Sequence, residues 1–298
     1  MSDLDRPGLQ PVDPETGRPP VVPDDERMLI ALDIDGTVLL EDESFSPGVP
    51  AAVREAAQRG HIVTLATGRS WEATYPVLVW LGLTPEYVVC ANGATIMERD
   101  TTCATDYRRR IIETFDATEV LEHLSLQLPD ATYMVELGDG ARLFTRFLGD
   151  WDLSRPDARC VTIDEMKGQQ VTRVVVVSPQ HTSDEFVDVV AGLGLQQVSY
   201  SVGWSAWLDI APQGIDKSTA LAQVREMLGI DPSRVVVMGD GRNDIEMLQW
   251  AGQVGGRAIA MGQALPEVSQ HATETTGDVH SGGVANALRR LGAVFSPA

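Results

Sequence analysis

The chain has 298 residues, 43% hydrophobic and 22% charged, which excludes wholesale disorder and a collagen-like architecture. Its 43 acidic and 23 basic residues leave a formal charge of −20. Such a chain repels phosphate backbones and anionic lipid heads, so neither nucleic acid nor a membrane surface is an expected partner. The length suits one large domain or two modest ones.

No apolar run approaches the ~18 residues that span a bilayer, and the opening MSDLDRPGLQ lacks the basic start and apolar core of a signal peptide. The three cysteines, Cys90, Cys103 and Cys160, contain no CxxC pair, so neither a disulfide framework nor a zinc site is indicated. A reducing, cytoplasmic setting is expected. Oligomeric state is not readable from the sequence.

Residues 1–26 hold six prolines and many acids but few large apolar groups, the composition of a flexible tail. Order begins at Met28-Leu29-Ile30-Ala31-Leu32, an unbroken apolar run ending in Asp33. A run without alternation fits a strand covered on both faces, as in a parallel sheet. Ser46-Pro47 opens a helical pattern that Gly60 ends. A second buried strand, Ile62-Val63-Thr64-Leu65-Ala66, leads to Thr67-Gly68-Arg69. A helix over 70–81 and a third strand, 87–91, follow. Strand and helix in alternation predict a doubly wound parallel α/β sheet.

The rhythm changes after Gly93. Over 96–205, alternating segments such as Thr132-Tyr133-Met134-Val135-Glu136 and 142–147 stand among helical stretches at 117–128 and 183–192. This predicts an α+β module with one face of its sheet uncovered. The parallel pattern then resumes. Lys217 begins a helix, 234–239 is a buried strand, 243–251 a helix, 257–261 a strand, and 283–291 a closing helix. The expected organisation is a Rossmann-like core, 27–95 and 206–298, interrupted by an inserted domain at 96–205.

Ligands in open parallel sheets sit beyond the carboxyl ends of the strands. Those ends carry Asp33-Ile34-Asp35-Gly36-Thr37, Thr67-Gly68-Arg69 and Gly239-Asp240-Gly241-Arg242-Asn243-Asp244, with Lys217 starting a helix at the same edge. Asp33, Asp35, Asp240 and Asp244 would repel one another unless a cation sat among them, and hard oxygen ligands favour Mg²⁺. A carboxylate can act as nucleophile, a second can act as general acid and base, and a lysine and a hydroxyl can hold phosphoryl oxygens. The segment before Lys217 is not a nucleotide-binding glycine loop, because Asp216 stands where that loop needs glycine. The histidines show no metal-ligand spacing, and Arg108-Arg109-Arg110 reads as a solvated face.

DIDGT at 33–37, Thr67 within ATGR, Lys217, and GDGRND at 239–244 resemble, in order and spacing, the four motifs of the haloacid dehalogenase superfamily. ANGA at 91–94, DIAPQGIDKSTAL at 209–221 and HSGGVANAL at 280–288 are similar to its Cof-type branch, subfamily IIB, whose members carry an α/β cap of the C2B type between the second and third motifs. The resemblance implies a phosphatase acting on a small phosphorylated metabolite, sugar phosphates foremost. Asp33 would be the nucleophile, and Asp35 the acid that protonates the leaving alcohol and then activates water. Thr67, Gly68 and Lys217 would bind the phosphoryl group, and Asn243 would contact phosphate or substrate. Mg²⁺ would be held by Asp33, the Asp35 backbone carbonyl and Asp240, with Asp244 anchoring metal-bound water or Lys217. A phosphomutase and a phosphate-binding regulatory module remain alternatives.

Overall fold

The computed structural model describes residues 21–147, 157–178, 198–202 and 207–294. The helix expected at 183–192 and residues 1–20 of the expected tail lie outside the described residues. Residues 21–27 lie against the core: Val22 N donates to Arg59 O at 2.8 Å, and Arg27 Nε donates to Gly60 O at 2.8 Å.

Leu29–Leu32 forms β1, with every side chain buried. It pairs in parallel with β2 (Ile62–Leu65) on one side and β13 (Val235–Gly239) on the other. β14 (Arg257–Ala260) and β15 (Glu274–Thr275) extend the sheet, giving the order β15-β14-β13-β1-β2. Ile30 and Leu32 face one apolar cluster, with residues of α1 (Val49–Gln58), α2 (Trp71–Leu81) and a helix at Gly283–Arg290. Leu29 and Ala31 face the other, with residues of helices Lys217–Leu228 and Ile245–Gln253. Coverage on both faces explains why the strands lack alternation. Because β2 lies on one side of β1 and β13, reached only after the second large sheet, lies on the other, the sheet's switch point lies at the end of β1, immediately before Asp33.

β3 (Tyr87–Cys90) touches the core sheet through an isolated parallel bridge, Ala66 to Val89. It pairs antiparallel with β4 (Thr95–Arg99), and β4 with β5 (Tyr107–Ile112). Residues 95–112 therefore belong with β3, although their alternation resembles that of the segments that follow.

A second large sheet begins at β6 (Phe115–Asp116), which pairs with β10 (Gln170–Val177). The rest of it has the order β11-β12-β10-β7-β8-β9, with β7 at Thr132–Leu137, β8 at Arg142–Phe144, β9 at Ala158–Cys160, β11 at Val198–Val202 and β12 at Trp207–Pro212. One face packs Tyr133, Val135, Leu143, Val174, Val176, Leu208 and Ile210 with Val120, Leu121 and Leu124 of α3 (Thr118–Gln127). The opposite face, expected to be uncovered, is closed where it carries charge. Glu136, Arg142, Arg173 and Asp209 are only 3%, 4%, 6% and 7% exposed, because that face lies on the core beside the carboxyl ends of its strands. Residues 163–166 form α4. Among the described residues, the remaining α-helices are α5 (Lys217–Leu228), α6 (Ile245–Gln253), α7 (Pro266–Ser269) and α8 (Gly283–Arg290). Among the described residues, no helix is long and apolar enough to cross a membrane.

Candidate active site

Asp33 continues the line of β1, its N–H donating to Met238 O at 3.0 Å. This backbone bond aims the Asp33 side chain into the crevice beyond the strand ends. Lys217, the first residue of α5, is placed by the N-cap Asp216, whose carboxylate accepts the Ser218 and Thr219 N–H groups. Lys217 Nζ donates to Asp33 Oδ1 at 2.6 Å and to Asp244 Oδ1 at 2.7 Å. The other oxygen of Asp244, Oδ2, accepts from the N–H groups of Asp240 and Gly241 at 3.0 and 2.9 Å. Asp244 thus folds the turn after β13 while balancing the buried lysine.

One carboxylate oxygen from each of Asp33, Asp240 and Asp244 lies within 4.8 Å of the other two, and all three residues are buried. Burial drives the Asp33 carboxyl well above its ordinary value; Lys217 opposes the rise, and Asp244, Asp35 and Asp240 add to it. Burial, then the Asp244 charge, pushes Asp240 up to about 7, while bonds from Gln263 and Thr37 pull the other way. Burial works against the charge on Lys217, but Asp244 and Asp33 together hold its pKa above the ordinary lysine value. Three hard oxygens converging under mutual repulsion form a donor set of the kind a hard divalent cation takes. Thr37, not singled out from the sequence, donates from Oγ1 to Asp240 Oδ1 at 3.2 Å.

Asp35 lies apart from this triad. Its side chain is 61% exposed and is gripped by Arg69, whose Nε donates to Oδ1 and Oδ2 at 3.2 and 3.0 Å and whose Nη2 donates to Oδ1 at 2.5 Å. Arg69 also pairs with Glu43 at 3.3 Å. Thr67 is fully buried, and its Oγ1 accepts from Arg69 N at 3.0 Å. A side chain at Gly68 would meet Asn92 Oδ1 at 3.1 Å and Asn243 Nδ2 at 3.5 Å, so glycine keeps this loop close to both amides. Asn243 Nδ2 donates to Asn92 Oδ1 at 3.1 Å, and Asn92 Nδ2 donates to Asp209 Oδ2 at 3.0 Å.

The structure therefore gathers Asp33, Lys217, Asp240 and Asp244 into one contact group. It brings Thr67, Gly68 and Asn243 together around Asn92, and holds Asp35 on Arg69. Sequence reasoning gave no role to Asn92, Glu136, Arg142, Arg173 or Asp209. The available signal was a charged side chain interrupting an apolar strand, as in Val171-Thr172-Arg173-Val174. The expected solvated face at 108–110 is corrected at Arg109, which pairs with Glu72 of α2 at 2.7 Å, the two side chains being 20% and 13% exposed.

The sequence pattern of the haloacid dehalogenase-like hydrolases matches residues 30–288. The 5-amino-6-(5-phospho-D-ribitylamino)uracil phosphatase YitU of Bacillus subtilis is 27% identical over 271 residues, covering 88% of this chain and 96% of its own. The HMP-PP phosphatase of Serratia proteamaculans is 25% identical over 249 residues, covering 80% and 85%. Among solved structures, a subclass IIB sugar phosphatase superposes with a TM-score of 0.71 at 17% identity, covering 90% of this chain and 100% of its own. A phosphatase from Bacteroides thetaiotaomicron superposes with a TM-score of 0.68 at 22% identity, covering 92% and 99%. The chain belongs to the haloacid dehalogenase-like hydrolases, in the branch of their phosphatases.

Proposed function

We propose that this hydrolase is a Mg²⁺-dependent phosphatase that passes the phosphoryl group of a small phosphomonoester first to Asp33 and then to water. The observation that carries the reading is the sharing of one buried ammonium, Lys217 Nζ, between Asp33 and Asp244, with the Asp240 carboxylate alongside. Lys217 holds Asp33 Oδ1 and opposes the rise that burial imposes on its carboxyl. Among the described residues, no donor is hydrogen-bonded to Oδ2, the oxygen with which Asp33 would attack phosphorus.

Asp35, steered by Arg69, would give a proton to the leaving oxygen and later take one from the water that opens the aspartyl-phosphate. Thr67, the N–H of Gly68, Lys217 and the Asn243 amide would hold the phosphoryl oxygens. Asp33 and Asp240, with the Asp35 backbone carbonyl, would hold Mg²⁺, and Asp244 would stand behind them. The ion would offset the charge gathered on the phosphoryl oxygens.

The segment from about 113 to 212 would serve as the cap that chooses the leaving group, a division supported by strand pairing in which β4 and β5 stay with β3 while β12 pairs with β10 and β11. Relatives named for a phosphoribitylamino-uracil, for HMP-PP and for sugars support a small phosphorylated metabolite as substrate, and a polyhydroxylated phosphate is the class favoured here. A cytoplasmic setting is supported by the strongly acidic composition and by three cysteines that form no CxxC pair.

The test is phosphate release from a broad phosphomonoester panel, with Mg²⁺ and with chelator, for wild type and Asp33→Asn. Release that requires both Mg²⁺ and Asp33 is expected. Release that persists in Asp33→Asn would overturn the assignment of the nucleophile.

A further inference from the structure

On the core-facing side of the second large sheet, four charged side chains form a row across adjacent strands: Asp209 on β12, Arg173 on β10, Glu136 on β7 and Arg142 on β8. The signs alternate, so the row is neutral as a whole. Arg173 Nη1 lies 3.4 Å from Asp209 Oδ2 and its Nη2 lies 3.3 Å from Glu136 Oε2, while Arg142 Nε lies 3.5 Å from the same Glu136 oxygen.

What the row touches on the core is specific. Arg173 Nη1 donates to Gly68 O at 2.6 Å. Asp209 Oδ2 accepts from Asn92 Nδ2, and Arg142 Nη2 donates to Ser70 Oγ. These three outward bonds end on the loop that carries Thr67 and on the asparagine bonded to Asn243. The same loop is tied from beneath, where Asn92 N donates to Thr67 O at 3.0 Å and Ala91 N donates to Arg69 O at 2.8 Å. The 67–69 backbone is thus held between the 91–92 turn on one side and Arg173 on the other.

Two further atoms, Arg173 Nε and Asp209 Oδ1, are buried without a hydrogen-bond partner among the described residues. A pairing selected only to fasten two domains together has no reason to carry such atoms, since buried polar groups are ordinarily satisfied.

We propose that Arg173 and Asp209 are positioning residues for the phosphate site. Arg173 sets the Gly68 carbonyl, and with it the Thr67 loop; Asp209, through Asn92, sets the Asn243 amide. Docking of the inserted domain then completes the phosphoryl-binding groups as well as covering them. With the domain lifted, Gly68 O and Asn92 Nδ2 lose their partners, and the loop and the Asn243 amide lose their fixed orientation. Binding of the phosphoryl group and docking of the domain thereby favour each other.

This inference rests on the phosphatase reading, and the experiment separates the two. Hydrolysis of p-nitrophenyl phosphate is measured for wild type, Arg173→Ala, Arg173→Lys and the charge-neutral pair Arg173→Met/Asp209→Leu, with inorganic phosphate as competitive inhibitor. In Arg173→Ala, kcat is expected to fall about tenfold or more and the phosphate inhibition constant to weaken about fivefold. Arg173→Lys, or added guanidinium ion with Arg173→Ala, is expected to restore part of both.

The inhibition constant is the discriminating readout. Loss of stability alone lowers the melting temperature, and loss of leaving-group contacts alone raises KM, but neither changes how inorganic phosphate binds to folded enzyme. Should Arg173→Ala fail to fold, the neutral double variant decides, because it leaves Glu136 and Arg142 paired. A folded variant whose phosphate inhibition constant equals that of wild type overturns the proposal. A wild-type enzyme that releases no phosphate overturns the phosphatase reading instead.

Discussion

Lys217 Nζ and Asp244 Oδ1 lie 2.7 Å apart with neither side chain exposed, and the same ammonium reaches Asp33 Oδ1 at 2.6 Å. One cation therefore offsets two buried anions, and the members of the group are not equivalent. Replacing Lys217 by Met leaves two carboxylates buried without a counter-charge, a defect of about 3–5 kcal/mol for a buried pair broken on one side. Replacing Asp33 by Asn removes one of several crowded negative charges and still leaves Lys217 its bond to Asp244. Asp33→Asn is expected to fold with a melting temperature near that of wild type and to release no phosphate. Lys217→Met is expected to be inactive and clearly less stable, more so at pH 8 than at pH 5.5, where the Asp33 carboxyl, raised by burial, can take up a proton. Thermal melts of both variants at the two pH values check this. Equal destabilisation would show that the ammonium is not the element that balances the cluster.

The Asp240 carboxyl, raised to about 7 by burial and by Asp244, ties metal binding to pH. An acid whose folded-state pKa exceeds its unfolded value of about 3.9 stabilises the fold fully below that lower value and loses the contribution as pH rises through the higher one. The metal-free protein is therefore expected to lose this stabilisation between about pH 4 and pH 7. A divalent cation replaces the proton, so the rise in melting temperature on adding Mg²⁺ should be larger at pH 8 than at pH 6. Titrating Mg²⁺ into weakly buffered protein near pH 6.5 should release protons. A Mg²⁺-induced shift that is the same at both pH values would contradict the assignment of Asp240 as a ligand.

Gly36 connects the first motif to the proposed metal-binding carboxylates by its lack of a side chain. Its φ is +74°, and a methyl group there would lie 2.3 Å from Asp240 Oδ2. Its carbonyl accepts from Gln263 Nε2 at 2.5 Å, which keeps the turn from relaxing away. Gly36→Ala combines a left-handed backbone, costing about 1–2 kcal/mol for a residue with a side chain, with displacement of Asp240. The expected outcome is a loss of about 1–3 kcal/mol together with weaker activation by Mg²⁺. The Mg²⁺ concentration giving half-maximal activity reads out the second effect. If it stays unchanged while stability falls, Asp240 has not moved.

The core and the residues gathered at the carboxyl edge of its strands were legible because both are written in short, contiguous stretches. Unbroken apolar runs such as 29–32 signal strands buried on two faces, and the residues at their ends follow at once in the sequence. The charged row was not legible for the opposite reason. Glu136 and Arg142 stand in two separate alternating segments, Arg173 and Asp209 in stretches that gave neither a role, and only pairing across four strands aligns the four. Their partners, Gly68, Ser70 and Asn92, lie far away in the sequence, so no local window contains the contact. The hairpin of β4 and β5 illustrates the same limit. Alternation announces a half-buried strand but not the sheet that it joins, and here β4 pairs with β3 and β5 with β4. Arg69 stood in view within its motif, yet its grip on Asp35 depends on two loops meeting above the sheet.

His61 opens a route to acid sensitivity unrelated to the active site. It is 6% exposed; its Nδ1 accepts the Met28 N–H at 3.3 Å, and its Nε2 is buried without a partner among the described residues. The neutral ring with the proton on Nε2 is the form that fits this bond. Burial, followed by the charges of Arg59 and Arg27, lowers its pKa from 6.5 to about 4. A base whose folded-state pKa lies below its unfolded value contributes stability above the unfolded value, and loses it as pH falls through the folded one. Between pH 7 and pH 4.5 this single ring should remove about 2–3 kcal/mol, by the conversion of 1.36 kcal/mol per tenfold change. His61→Asn can supply a side-chain oxygen to the Met28 N–H but cannot titrate in this range. Urea unfolding of wild type and His61→Asn at the two pH values should show the variant losing less stability on acidification, by about that amount. Identical losses would mean that the strand that begins at Leu29 can shed its histidine contact at no cost, and that acid acts on the fold through the carboxylates alone.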